Sequence, residues 1–194
     1  MKFRAILFIA TLFTGSIVMG QPKLEGEHRI KKSQFPENSI FFMESKIGSV
    51  KKQRYYREID SSAIYYTSKF KKDRLHYSIQ FSENGLFQEV AIAVKEIDIP
   101  QDSWKNITSF LEQHITKYRI KRILQLYTVS EDQPEAITLK RAFQNLIIPE
   151  LTYRIMAKGK TEGKCQGYRL IFDSEGSLAQ IKMALPPNYD HILY

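Results

Sequence analysis

One nine-residue phrase occurs twice in this chain. Residues 77–85 read YSIQFSENG and residues 168–176 read YRLIFDSEG, so that Tyr, Ile or Leu, Phe and Gly recur at an offset of 91. Each copy alternates apolar with polar residues and then closes on a glycine. Strand side chains alternate between faces, and glycine tolerates positive φ, so the phrase specifies a half-buried strand entering a tight turn. A second phrase recurs at an offset of 64, as FPENSI in residues 35–40 and IPQDSW in residues 99–104. Here an apolar residue and a proline precede Asn or Asp and then Ser, a composition suited to opening a helix and capping its free N–H groups. Two matched phrases at regular order point to an internal repeat.

The offsets differ by 27 residues, which places an insertion between the two markers of the second copy. Residues 130–148 fit that role, with an extra helix expected at about 132–147 and ended by Pro149. The first unit, residues 35–98, is then a helix near 36–47 followed by strands at 51–58, 63–70, 75–81 and 86–94. The second, residues 99–194, is a helix near 102–115 followed by strands at 118–128, 151–158, 167–172 and 177–184. In that second helix Trp104, Ile107, Phe110, Leu111 and Ile115 share one face. The short link at residues 71–74 implies antiparallel neighbours. The expected fold is α+β: two tandem helix-plus-four-stranded antiparallel meander units, with an extra helix inserted in the second unit and residues 21–34 as an N-terminal linker.

An apolar-Pro pair opening a helix, then Tyr66 to Phe70 as Y-x-x-x-F, then Tyr77 to Gly85, resembles the PepSY-like group. That group is related in fold to the secreted beta-lactamase-inhibitor proteins. The resemblance covers residues 35–184 as two units and implies a helix packed on a curved antiparallel sheet whose free face holds another protein. It also implies an exported protein that binds or restrains a partner. The longer Gly-rich hairpin at 159–164, Cys165 and the inserted helix depart from the simple repeat.

The first residues have the build of an export signal. Lys2 and Arg4 precede an uncharged apolar run over residues 5–19, and Val18 and Gly20 suit cleavage after residue 20. That run falls short of the ~20 residues a spanning helix needs, so a periplasmic or secreted protein is expected, with no integral membrane segment once the leader is gone. Loss of Lys2 and Arg4 takes the net charge from +8 to +6. The surplus is even: 14 basic and 11 acidic residues lie in 21–100, and 13 and 10 in 101–194. A nucleic-acid binder concentrates such charge, and strand alternation splits the basic-aromatic run KKQRYYRE at residues 51–58. No nucleic-acid partner is expected.

The chain offers little for catalysis. His28, His76, His114 and His191 have no second ligand at metal spacing, Cys165 stands alone, and no nucleophile elbow or phosphate loop is present. No catalytic residue, metal or cofactor is therefore expected. The candidate site is instead the sheet face opposite the helices. If Tyr66, Ser68 and Phe70 face the core, then Tyr65, Thr67 and Lys69 face outward, beside His76, Ser78 and Gln80, and then Phe87 and Glu89. Aromatic, small and charged residues mixed in this way suit recognition of a protein or peptide in the cell envelope. The rival readings are a structural envelope component that self-associates and, more weakly, an enzyme of unrecognised type. The apolar tail NYDHILY, residues 188–194, is expected to pack onto the domain. Deleting it should lower the midpoint of thermal unfolding; an unchanged midpoint would show a free tail.

Overall fold

The structure, a computed structural model, describes residues 26–60, 63–161 and 164–183. The expected leader and the tail at 188–194 lie outside the described residues. Among the described residues nine strands form one antiparallel sheet in which every strand pairs with its neighbours in sequence. They are β1 (Gly26–Ile30), β2 (Lys51–Asp60), β3 (Ala63–Lys72), β4 (Leu75–Ser82), β5 (Phe87–Val94), β6 (Thr116–Thr128), β7 (Thr152–Thr161), β8 (Lys164–Phe172) and β9 (Leu178–Met183). The helices are α1 (Glu37–Phe42), which widens into a π-helical turn over Met43–Ile47, α2 (Gln101–His114) and α3 (Glu135–Phe143). The fold is α+β. The sheet runs unbroken through the boundary expected near residue 98, because β5 and β6 pair from Glu89↔Thr128 to Val94↔Ile123.

Alternation sets which side of each strand meets the helices. Phe70, Tyr77, Ile79, Phe81, Val90, Ile92, Tyr127, Tyr153, Ile155, Leu170 and Phe172 all lie on one face and form the core with Ile107 and Leu111 of α2. Trp104 and Phe110 pack at its rim, Phe110 edge-on to Phe172 at 5.7 Å. α3 lies over β5 and β6, burying Leu139 and Ala142 and setting Phe143 against Tyr77 at 5.3 Å. Its end is tied down by polar contacts. The Tyr127 hydroxyl donates to the Leu146 carbonyl at 2.9 Å, and the Gln125 amide donates to that hydroxyl at 2.6 Å. Burial pushes the Tyr127 hydroxyl up to about 12, so it keeps its proton and remains a donor.

The duplicated phrases meet in space, though not as helix caps. Pro36 and Pro100 occupy the cap positions and no side chain caps either helix. Ser39 instead donates to the Gly85 carbonyl at 3.2 Å, and Ser103 to the Ser174 carbonyl at 2.7 Å. Each helix N-terminus therefore grips a hairpin: β4–β5 at α1, and β8–β9 at α2. Gly85 (φ +78) and Gly176 (φ +86) make those turns, and the space beyond each Cα is filled by the helix. The match extends upstream of the prolines. The Lys31 amide donates to the Gln34 side chain and the Lys95 amide to the Asp98 side chain, each closing a short 3₁₀ turn before its helix. Sequence comparison of the hexapeptides alone missed this extension.

Four local expectations change. Residues 26–30, expected within a linker, form β1, whose GEHRI sequence lacks apolar alternation and which is held by a charge pair described below. Phe87, expected on the open face, is buried and stacks on Phe42 at 5.0 Å. The cause is a bulge: Gln80 pairs with Glu89 but Phe81 pairs with Phe87, so Gln88 is an extra residue that shifts the alternation. The Gly-rich hairpin expected at 159–164 is mostly ladder, with Gly159 paired to Gln166 and Lys160 to Cys165. Gly159 has to be a glycine because a Cβ there would strike Ile115 at the end of α2. The β3–β4 link is tighter than expected, a two-residue turn at Asp73 and Arg74, both with positive φ, as a type I′ hairpin requires.

A Cβ at Gly176 would strike the Ser103 carbonyl in a backbone conformation that L-residues resist. Gly176→Ala should therefore destabilise the fold by about 3 kcal/mol, read by urea denaturation.

Candidate functional site

The face away from the helices receives the other half of each strand's side chains. Tyr65, Thr67 and Lys69 of β3 alternate with the core residues Tyr66, Ser68 and Phe70. His76, Ser78 and Gln80 of β4 alternate with Tyr77, Ile79 and Phe81, and Glu89 and Ala91 of β5 flank Val90. By the same alternation β6, β7 and β8 contribute Arg122, Arg154 and Arg169. Charged groups thus line the middle of a sheet whose other side is aromatic.

Those charges are paired across the sheet. Lys69 on β3 reaches over β2 to Glu27 on β1 at 2.6 Å, with the lysine 12% and the glutamate 4% exposed. Its ammonium also lies 4.6 Å from the centre of the Tyr56 ring. Arg154 meets Glu89 at 3.1 Å, and the Gln80 amide donates to Glu58 at 3.3 Å. Arg169 on β8 meets Glu58 at 3.8 Å and Asp60 at 3.5 Å, both on β2. In sheet order β2 and β8 stand six strands apart, roughly 29 Å in a flat sheet. Side chains span that gap only if the sheet curls strongly toward this face. The face is therefore a cleft with bridged walls and not an open platform.

The cleft encloses about 70 Å³, room for on the order of five waters. Its lining includes Thr67, Lys69, His76, Ser78, Gln80 and Glu89, six of the eight residues expected for the site, together with Glu27, Glu58, Arg122, Arg154 and Arg169. Tyr65 lies on the same face, half-buried and opposite Ser82, outside the lining. Phe87 is on the helix side. The cationic residues of the second half and the acids of β1 and β2 escaped the sequence reading. Alternation around Tyr153 and Tyr168 carried a signal for Arg154 and Arg169, but nothing local told that they would face Glu89 and Glu58.

Two polar atoms in the cleft stand out. Thr67 is 3% exposed and its hydroxyl has no partner, and Arg154 gives Glu89 its Nη2 while its buried Nε has none. A buried donor without an acceptor costs on the order of 1–3 kcal/mol, so both atoms have unused bonding capacity. Among the described residues no group of three His, Cys, Asp or Glu side chains could hold a metal ion, and no helix is long and apolar enough to cross a membrane. Cys165 is exposed near the β7–β8 turn.

Burial, and then the charges of Lys71 and Lys52, hold the His76 imidazole below its ordinary value. A histidine whose folded pKa lies below its unfolded value binds fewer protons folded than unfolded as pH falls through 6.5, so acid removes stability. His76→Gln should flatten the loss of stability between pH 7 and pH 5, measured by denaturant midpoints across that range.

No protein-family model matches the sequence, and no curated protein matches it. Solved structures do. A DUF2874 family protein from Bacteroides ovatus superposes with a TM-score of 0.50 at 11% identity, over 77% of this chain and 87% of that one. A protein of Bacteroides eggerthii with a proposed periplasmic location superposes with a TM-score of 0.50 at 8% identity, over 78% and 90%. A BLIP-like protein from Bacteroides fragilis aligns at 0.48 and 12% identity, over 81% and 92%. The first two likenesses establish a shared fold, and at such low identity they establish nothing about activity.

Proposed function

We propose that this chain is an exported binding module of the periplasm that holds a protein or peptide partner in the cleft of its curled sheet, without catalysing a reaction. The observation that carries the reading is the cleft itself. A helix-free sheet face would ordinarily be solvated, yet here it gathers charged side chains into a half-enclosed space and leaves the Thr67 hydroxyl and Arg154 Nε unpartnered. Polar donors held rigid on strands suit recognition, because little freedom is lost when a ligand arrives.

Location and history belong to the same reading. The leader-like first twenty residues and the proposed location of the Bacteroides eggerthii neighbour both favour the periplasm. The paired helix–hairpin grips, Ser39 on Gly85 and Ser103 on Ser174, favour a chain built from two fused PepSY-like units. Inhibition of the partner is the finer expectation of that resemblance.

The test is capture from envelope extract with the tagged full-length chain, beside Ser78→Trp, which fills the cleft from β4 without touching the core. A partner held by the parent and lost by a folded Ser78→Trp is the expected result. Equal capture by both proteins, or none by either, would overturn the reading.

A further inference from the structure

A second concavity lies outside the cleft, where β1 runs into its 3₁₀ turn beside the first residues of β2. This shallow groove encloses about 610 Å³ and shares no lining residue with the cleft. Arg29, Lys31 and Lys32 line it from the β1 side and Arg54 from β2, with Ile30 and Tyr55 as its apolar part. Among the described residues no carboxylate lines it. Lys32 pairs with Glu44 at 2.7 Å, both side chains exposed. With that acid counted, Arg29, Lys31 and Arg54 are left over, and none of them meets a carboxylate among the described residues. Packing does not demand charge at these positions, since all three lie outside the core. One is even held against repulsion. Arg54 stands directly opposite Lys69 in the β2–β3 ladder, and like charges so placed destabilise a sheet. Lys69 has Glu27 as its counter-ion, whereas Arg54 has none among the described residues.

The spacing of these cations is that of an extended chain. Arg29 faces Tyr56 across the ladder, so Arg54 lies one diagonal step away on the same side of the sheet. Lys31 follows with extended backbone (φ −80, ψ 157), which repeats the side-chain direction of Arg29 about 6.6 Å further along. We propose that this groove is a second docking surface, which holds an acidic segment of a partner protein in extended form. Its alternate Asp or Glu side chains are set against Arg29, Lys31 and Arg54. An extended segment brings every second side chain to one side at that same interval. Its carboxylates supply the counter-charge that Arg54 lacks, and guanidinium groups receive carboxylates in a matching planar fork. An anionic membrane is the poorer match. Binding to lipid gains strength from apolar side chains that enter it, and none of the exposed large apolar residues lines the groove. The proposal stands apart from the reading of the cleft.

Binding is read by fluorescence anisotropy of labelled, end-blocked peptides mixed with the full-length chain at low ionic strength. The probe alternates glutamate with threonine over five residues, and its control has glutamine in place of each glutamate. The acidic peptide should bind saturably and the glutamine peptide should not, and added salt should weaken the acidic one. Lys31→Gln combined with Arg54→Gln removes two exposed ion pairs and should weaken binding about tenfold. Arg54→Gln alone relieves the repulsion at Lys69, so its urea midpoint should equal or exceed that of the parent while its affinity falls. That pairing of results separates a lost site from a damaged fold. Lys121→Gln, which removes an exposed cation of β6, and Ser78→Trp, which fills the cleft, should bind the peptide as the parent does. Equal weakening by Lys121→Gln would show attraction to overall charge, and loss in Ser78→Trp would put the peptide in the cleft; either result overturns the proposal. No saturable response to the acidic peptide overturns it as well. Sedimentation of the chain with phosphatidylglycerol vesicles in that case would make the groove a membrane contact instead.

Discussion

A sheet covered by helices on one side only has to find shelter for the other side, and that asymmetry governs this molecule. Three helices bury the aromatic face of the nine strands. Among the described residues nothing covers the opposite face, and the sheet folds over on itself until Arg169 of β8 reaches Glu58 and Asp60 of β2. Curling removes water from groups such as Lys69 and Glu27, and charges taken out of water are tolerated only when they are paired. The pairs and the curvature therefore imply each other. Without the curl the charges would be solvated and contribute little. Without the charges, curling would bury unmatched polar groups.

The same asymmetry explains what could be read from the sequence. Strands, turns and the facing of most residues follow from alternation and glycine, which act over a few positions. Tyr66, Ser68 and Phe70 against Tyr65, Thr67 and Lys69 is such a case, and the hairpins at Gly85 and Gly176 are others. Phe87 went astray because one bulge residue, Gln88, reverses the alternation, and a bulge has no compositional mark here. β1 was invisible for a different reason. GEHRI has no apolar stripe, and its place is set by Glu27 meeting a lysine 42 positions later. The cleft was half legible. The β3, β4 and β5 residues could be placed by period, whereas the arginines of β6 to β8 enter it only because of the curl, which joins residues more than a hundred positions apart.

The repeated phrases also prove to be tertiary in purpose. Ser39 and Ser103 look like caps from their neighbours, yet each serine holds a distant turn, 46 and 71 positions away. A short polar side chain beside a proline-opened helix can serve either role, and the hairpin glycine that accommodates the helix decides between them. This is why Gly85 and Gly176 matched across the chain when most surface residues did not.

The strand order has a kinetic side. Because every strand pairs only with its neighbours along the chain, the sheet can grow by successive closures, five across short turns and three across the longer connections that carry the helices. Local closures are entropically cheap, and topologies made of them cross their folding barrier faster than sheets that join distant strands. The slow contacts are few: the helix–hairpin grips and the bridge from β2 to β8. The last of these has to wait until nearly the whole ladder exists. The cleft is thus a late product of assembly, absent from any partly zipped chain, and it takes shape only once the ladder is closed.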